Sequence, residues 1–141
     1  DGMQNFNLVE HFQNKKVLVI CVPGAFTSTC HNQHLPPYIQ NCEILMKEKE
    51  IDIVCCISTN DPFVLDKWRQ ELGKSKIKFL SDGNEEFLKK TNLIRSHEKS
   101  FMGVRLIRSI ILIENLKITK LILDEPGKLE KSSYENIIKV I

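Results

Sequence analysis

The chain lacks the cysteine spacings of a metal centre or a disulfide scaffold. Its five cysteines are Cys21, Cys30, Cys42, Cys55 and Cys56. They include no C-x-x-C pair and no Cys/His spacing suited to zinc. The odd count, with Cys55 and Cys56 adjacent, argues against a secreted disulfide framework. Reduced thiols fit an intracellular compartment, cytoplasmic or organellar after removal of a leader, since the chain begins at Asp1 and its N-terminal segment reads as incomplete. An excess of either charge is also missing. Twenty basic residues face 18 acidic ones, which argues against a nucleic-acid or membrane-surface protein. The apolar runs are far shorter than the ~20 residues of a membrane span. Repeats, linkers and low-complexity stretches are absent too, so residues 1–141 are expected to form one domain.

What is present alternates. Val17–Val22 and Ile51–Ile57 are apolar on both faces, as strands covered from both sides are. Between them Leu35, Tyr38, Ile39, Cys42, Leu45 and Met46 recur near a 3.6 period, which predicts a long amphipathic helix irregularised or kinked near its start by Pro36-Pro37. Asn60 or Asp61 is expected to cap a helix whose inner face is Phe63, Val64, Trp68 and Leu72, ending at Gly73. A short strand at Ile77–Leu80 precedes a helix carrying Phe87, Leu88 and Leu93. Ser109–Glu114 and Lys117–Leu123 flank Glu114-Asn115 as a hairpin, and Ser132 or Ser133 caps a last helix with Ile137, Ile138 and Ile141. Residues 3–16 show only weak helical spacing, of Phe6, Val9 and Phe12. The order predicts an α/β fold, a mixed central sheet with a parallel part flanked by helices.

One junction carries chemistry. Val22-Pro23-Gly24-Ala25-Phe26-Thr27-Ser28-Thr29-Cys30 joins the first strand to the long helix and places Cys30 in a first helical turn. There unpaired amides and the helix dipole favour a thiolate. The competing reading makes Cys30 one more small buried hydrophobe. Thr27 stands one turn before Cys30 and can direct its hydroxyl toward it. Pro23 walls the pocket without adding a donor, and Gly24 allows close backbone approach. Arg105 and Arg108, just before the strand at Ser109, are candidates to pair with the thiolate and orient an oxygen substrate, or are solvated loop charge. His31 and His34 are expected at the helix surface, and His97-Glu98-Lys99 reads as a polar loop.

The pattern Pro23-x-x-x-Thr27-x-x-Cys30 resembles the active-site motif of the peroxiredoxins, and Val22-Pro23-Gly24-Ala25-Phe26-Thr27 resembles the atypical group of peroxiredoxin-5 and the plant type II enzymes. The likeness continues through Cys56–Val64, Trp68, Phe79–Gly83, Gly103–Arg108 and Ser132–Ile138. It implies a thioredoxin-like fold and an antioxidant peroxidase that reduces hydrogen peroxide and alkyl hydroperoxides without metal or organic cofactor. It assigns Cys30 as the peroxidatic cysteine that becomes a sulfenic acid, Thr27 and Arg108 as the residues that hold the peroxide, Pro23 as the shield, and the Gly24 and Cys30 amides as further donors. The sequence departs from the group at Ser28, where proline is frequent, at Pro36-Pro37, where Pro-Gly is usual, and at Ser109, where an aromatic residue normally follows the arginine.

Residues 124–141 hold no cysteine, so the resolving cysteine of the animal members is missing. Cys56 matches the second cysteine of the plant-type members and is the candidate resolver. Its strand position argues instead for a one-cysteine cycle, in which an external thiol (glutathione/glutaredoxin or thioredoxin) reduces Cys30. Cys21, Cys42 and Cys55 read as structural. The resemblance also implies a homodimer. The alternative function is a thioredoxin-fold redox sensor or interaction module without turnover. A thioredoxin-type disulfide oxidoreductase is disfavoured by the missing C-x-x-C.

Overall fold

A computed structural model describes residues 4–141. Met3, the first residue of the weakly helical N-terminal segment, lies outside the described residues. The central sheet has the strand order β3-β2-β1-β6-β7. Its strands are β1 (Lys16–Cys21), β2 (Ile53–Ser58), β3 (Lys78–Ser81), β6 (Ser109–Glu114) and β7 (Lys117–Leu123). β1 pairs in parallel with β2, and β2 with β3. On the other side β6 lies antiparallel to β1 and to β7. This is the expected mixed sheet of a thioredoxin-like fold. The helices are α1 (Leu8–Phe12), α2 (Leu35–Glu48), α3 (Pro62–Leu72), α4 (Glu86–Thr91) and α5 (Tyr134–Val140).

Alternation along β1 splits the core in two, because successive side chains of a strand point to opposite faces. Leu18, Ile20 and Val22 join Tyr38, Cys42, Leu45, Trp68 and Ile137 on one side of the sheet. Val17, Val19 and Cys21 join Phe12, Leu88, Leu93 and Leu106 on the other. Because α2, α3 and α5 all contribute to the first layer, β1 and β2 are covered there as well as beneath. Their sequences are correspondingly apolar without alternation.

Several local expectations change in detail. The inner face of α3 is Val64, Leu65, Trp68 and Leu72. Phe63 is 71% exposed, because it stands about half a helical turn away from the arc of Leu65, Trp68 and Leu72. Asp61 rather than Asn60 caps this helix, accepting from the Val64 amide at 2.9 Å, with Pro62 at its first position. Likewise Ser133 rather than Ser132 caps α5. In the N-terminal segment Phe12 is buried while Val9 is 59% exposed, so Val9 does not share the inner face. A second, two-stranded sheet of β4 (Ile94–His97) and β5 (Gly103–Leu106) was not expected. Its connection is a short 3-10 turn at Glu98–Ser100 with Phe101 in the left-handed region, and it carries no Asn-Gly or Gly-Gly signal.

Pro36 and Pro37 do not kink α2, since they occupy its first turn, where a missing N–H costs least. The irregularity falls one turn earlier. Cys30–His34 is a π-turn closed by the Leu35 amide on the Cys30 carbonyl. Two consecutive prolines cannot donate back to Asn32 and Gln33, so the chain enters α2 through a wider turn. That turn begins at Cys30.

Candidate active site

The loop that leaves β1 is held by its neighbours at several points. The Ala25 amide donates to Asn60 Oδ1 at 2.8 Å, and Asn60 is itself fixed by the Ser58 hydroxyl at 2.6 Å. Arg105, from β5, donates through Nη1 to the Pro23 carbonyl at 3.0 Å and through Nε to the Met102 carbonyl at 2.9 Å. Its guanidinium packs so closely on Gly24 that a Cβ there would lie 2.7 Å from Nη1. Gly24 thus allows the close approach its place in the sequence suggests, and a side chain there would displace the end of Arg105. Phe26 takes φ +62°, a left-handed conformation uncommon for a bulky residue, which turns the chain back toward the helix. The Thr27 hydroxyl donates to the Gly24 carbonyl at 2.7 Å, so its proton is spent within the loop and its lone pairs are left to accept.

Helical pairing starts with the His31 amide on the Thr27 carbonyl at 2.8 Å. The amides of Ser28, Thr29 and Cys30 therefore fall in the first turn, where no preceding carbonyl is in register to accept them. Cys30 is fully buried in the layer formed by Val22, Leu35, Tyr38 and Cys56. Arg108, 9% exposed, reaches it from the loop before β6, with Nη2 donating to Cys30 Sγ at 3.3 Å. Of the two arginines, Arg108 is thus on the sulfur, while Arg105 is on the loop.

His34 overturns its expected place at the surface, being 1% exposed. Its Nδ1 lies 2.9 Å from Arg108 Nη1 and its Nε2 lies 3.1 Å from the Ser132 carbonyl. Burial first, and the Arg108 charge second, push its pKa down to about 3. The signal was present in the sequence, because the stripe Leu45, Cys42, Tyr38 extends backward by four to His34 and by four again to Cys30. His31 is half-buried and accepts from Trp68 Nε1 at 2.9 Å while stacking on Phe26. Asp124 was also missed. Its carboxylate accepts from the Glu130, Lys131 and Ser132 amides at 3.1, 2.8 and 3.0 Å and from the Ser132 hydroxyl at 2.5 Å.

The other cysteines are buried and free. Burial pushes the Cys21 thiol up to about 12 and raises Cys42, Cys55 and Cys56 as well. Cys56 shares the buried layer with Cys30, yet it sits mid-strand in register with Ile20 and Phe79. Among the described residues no cluster of His, Cys, Asp or Glu could hold a metal ion, and no helix is long and apolar enough to cross a membrane.

Comparison with known proteins places the chain in a family. The redoxin family model matches residues 1–138. The chain is 37% identical to rice (Oryza sativa subsp. japonica) peroxiredoxin-2C over 142 aligned positions, covering all of this chain and 87% of that one. Reduced Prx3 of Vibrio vulnificus in complex with hydrogen peroxide superposes with a TM-score of 0.92 at 34% identity, covering 99% of this chain and 90% of that one. The Plasmodium falciparum antioxidant protein, a 1-Cys peroxiredoxin, superposes at 0.90 with 32% identity, covering 95% and 82%. With the motif, the fold and these relatives in agreement, the chain belongs to the redoxin family and within it to the peroxiredoxins, the thiol-dependent peroxidases.

Proposed function

We propose that Cys30 is the peroxidatic cysteine and that Arg108, Thr27, Pro23 and Gly24 build its peroxide site. The observation that carries this reading is the Arg108 Nη2–Cys30 Sγ contact of 3.3 Å between buried side chains at a helix start. A guanidinium there stabilises a thiolate and offers a donor to the oxygen under attack. The thiolate displaces one peroxide oxygen in line: the S–O bond forms, the O–O bond breaks, and the leaving oxygen takes up a proton and departs as water or alcohol. Cys30 is left as a sulfenic acid. The Thr27 lone pairs accept from the peroxide hydroxyl, the first-turn amides including that of Cys30 receive the developing charge, and Gly24 keeps the backbone close. Pro23 excludes water from the sulfenate. The complex of the Vibrio relative with hydrogen peroxide supports hydrogen peroxide as a substrate, with alkyl hydroperoxides beside it.

Regeneration proceeds by an external thiol. It attacks the sulfenic sulfur, water leaves, and a second thiol releases Cys30 from the mixed disulfide. Glutathione with glutaredoxin, or thioredoxin, supplies these thiols. The 1-Cys description of the Plasmodium relative supports this cycle, as does the enclosed strand position of Cys56. A homodimer of single-domain chains completes the reading. Stopped-flow mixing with hydrogen peroxide and mass spectrometry test it. Cys30→Ser and Arg108→Ala are expected to lose the fast reaction, and the wild type without reductant is expected to carry one added oxygen on Cys30. Full turnover in Cys30→Ser would sink the assignment, and an abundant Cys30–Cys56 link would replace the one-cysteine cycle.

A further inference from the structure

We infer that Arg95 and Arg105 form a carboxylate-binding subsite at the mouth of the peroxide site, for the anionic group of a thiol reductant or of an organic hydroperoxide. The inference rests on reading Cys30 as the peroxidatic cysteine. The second sheet sets the two arginines side by side. In the antiparallel pair of β4 and β5, Arg95 stands directly opposite Arg105, so both side chains leave the same face. Like charges placed opposite one another across a ladder repel. Among the described residues neither arginine is in an ion pair, the pairs being Lys67–Glu71, Arg69–Asp66, Lys76–Glu43 and Lys128–Glu125.

Both guanidiniums are oriented by main-chain oxygens that carry no net charge. Arg105 donates to the Pro23 and Met102 carbonyls, with its Nη1 end against Gly24. Arg95 reaches the Asp124 carbonyl from Nη2 at 3.5 Å, the outer limit of a hydrogen bond. The Asp124 carboxylate itself is turned to Glu130, Lys131 and Ser132. These contacts leave most N–H groups of the pair without a protein acceptor, on side chains that are only half-buried. His97 follows on the same face, two residues after Arg95. Across from it stands Gly103, where an added Cβ would meet nothing within 4 Å, so the face is open there. His97 Nε2 is enclosed and has no hydrogen-bond partner. Burial first, then Arg95, Arg105 and Arg108, hold its pKa below the usual histidine range. The three arginines therefore act on one region, and Arg108 is the one on the Cys30 sulfur.

Paired guanidiniums match the planar, charged oxygens of a carboxylate. Hydrogen peroxide carries no charge and gains nothing from such a subsite. Glutathione carries a carboxylate at each end, and a fatty-acid hydroperoxide carries one away from its reacting oxygens. Either reactant is held by its charge on Arg95 and Arg105 while its thiol or its peroxide group reaches Cys30. No bond forms or breaks at the subsite. It selects the charged reactant and leaves the displacement at sulfur to Cys30 and Arg108.

Matched reactants that differ in charge test this on the full chain. Stopped-flow reduction of linoleic acid hydroperoxide is compared with that of its methyl ester. Reduction of oxidised Cys30 by glutathione is compared with reduction by its diethyl ester. Arg95→Gln is the variant of choice, because a change at Arg105 would also free the Pro23 loop. In Arg95→Gln the acid-to-ester rate ratio is expected to fall about tenfold for at least one pair, which identifies the source of the carboxylate, and Arg95→Lys is expected to restore part of it. Each ratio is taken within one protein, so a general loss of activity cancels. Unchanged ratios in both pairs overturn the inference, as does an equal fall of acid and ester. S-methylglutathione and octanoate, which cannot react, give a readout without turnover. A carboxylate bound on the pair offsets the guanidinium field, so at least one of them is expected to raise the His97 pKa in wild type, followed by proton NMR, and to do so less in Arg95→Gln. A His97 that responds to neither overturns the inference. If Cys30→Ser keeps the peroxide rate, the reading of the site fails and the subsite with it. If Cys30→Ser loses the rate while the ratios in Arg95→Gln stay unchanged, the subsite alone fails.

Discussion

Mild acidification should destabilise the protein through His34. The folded ring has a pKa of about 3, depressed by burial and then by Arg108, while an unfolded histidine titrates near ~6.5. As the pH falls below ~6.5 the unfolded chain binds a proton at this site that the folded chain refuses, so its contribution is complete above that value and is lost progressively toward the folded pKa. The linkage integral gives a loss of about 2 kcal/mol between pH 8 and pH 5 from this residue alone. Because His34 is 1% exposed, solvent screening takes little from that figure. Urea unfolding of wild type and His34→Asn at a series of pH values isolates it, since every other ionisable group is common to the two proteins. The variant is expected to be less stable at pH 8, with the gap narrowing by about 2 kcal/mol at pH 5. A gap constant across that window would refute the claim that the fold holds this ring neutral.

Four further perturbations probe the surroundings. Asp124→Asn replaces an acceptor of the Ser132 amide and hydroxyl by a donor; two charge-assisted hydrogen bonds of ~1.5–3 kcal/mol each are broken, so the thermal midpoint should fall by roughly 10 °C, and a fall below ~3 °C would show the loop is held otherwise. The Asp124 carboxyl is raised by burial but lowered more by these bonds, so its stabilisation is present at neutral pH and disappears as the pH falls through the low folded value. Gly24→Ala drives a methyl against Arg105 Nη1 and should slow the peroxide reaction several-fold, with partial recovery in Gly24→Ala/Arg105→Ala. Cys56→Ala should keep multiple turnover with an added thiol reductant, and single-turnover arrest would restore Cys56 as resolver. Trp68→Phe removes the 2.9 Å donation to His31 and should lower stability by about 1–3 kcal/mol in denaturant titration.

How much of this was legible in the sequence varies with the range over which each feature is encoded. β6 and β7 match their expected bounds because a β-rich run ends at a local turn, which falls at Asn115-Leu116, both with positive φ, one residue later than the expected Glu114-Asn115. Cys30 at a helix start follows from a strand, a glycine and an amphipathic period in one stretch. Arg108 could be preferred to Arg105 only through the family resemblance, since three residues apart in a loop their side chains go to a sulfur and to a carbonyl. His34 lies on the apolar stripe of α2 but was assigned to the surface by its polarity. Its partners Arg108 and Ser132 are 74 and 98 residues away, and no local pattern reports a pairing of that range. Phe63 failed for the opposite reason: hydrophobicity suggested burial, and the helix frame set by Leu65 and Trp68 turned it outward.

The placement of charge explains why the centre is assembled from such distant pieces. As the proposed peroxidatic cysteine, Cys30 needs positive charge in a site from which water is excluded, and an isolated guanidinium in such a site carries a large desolvation cost. A local carboxylate would relieve that cost and cancel the field. In this fold the carboxylate of Asp124 is kept two links away, where it orders the Ser132 loop, and the guanidinium touches the His34 ring and the Cys30 sulfur instead. Arg108 is then satisfied in its hydrogen bonds without a carboxylate partner, and on the proposed reading its charge is left for the Cys30 sulfur and the bound peroxide. On that reading stability and catalysis are coupled: the residues that make a buried cation tolerable are those that leave its charge available to peroxide.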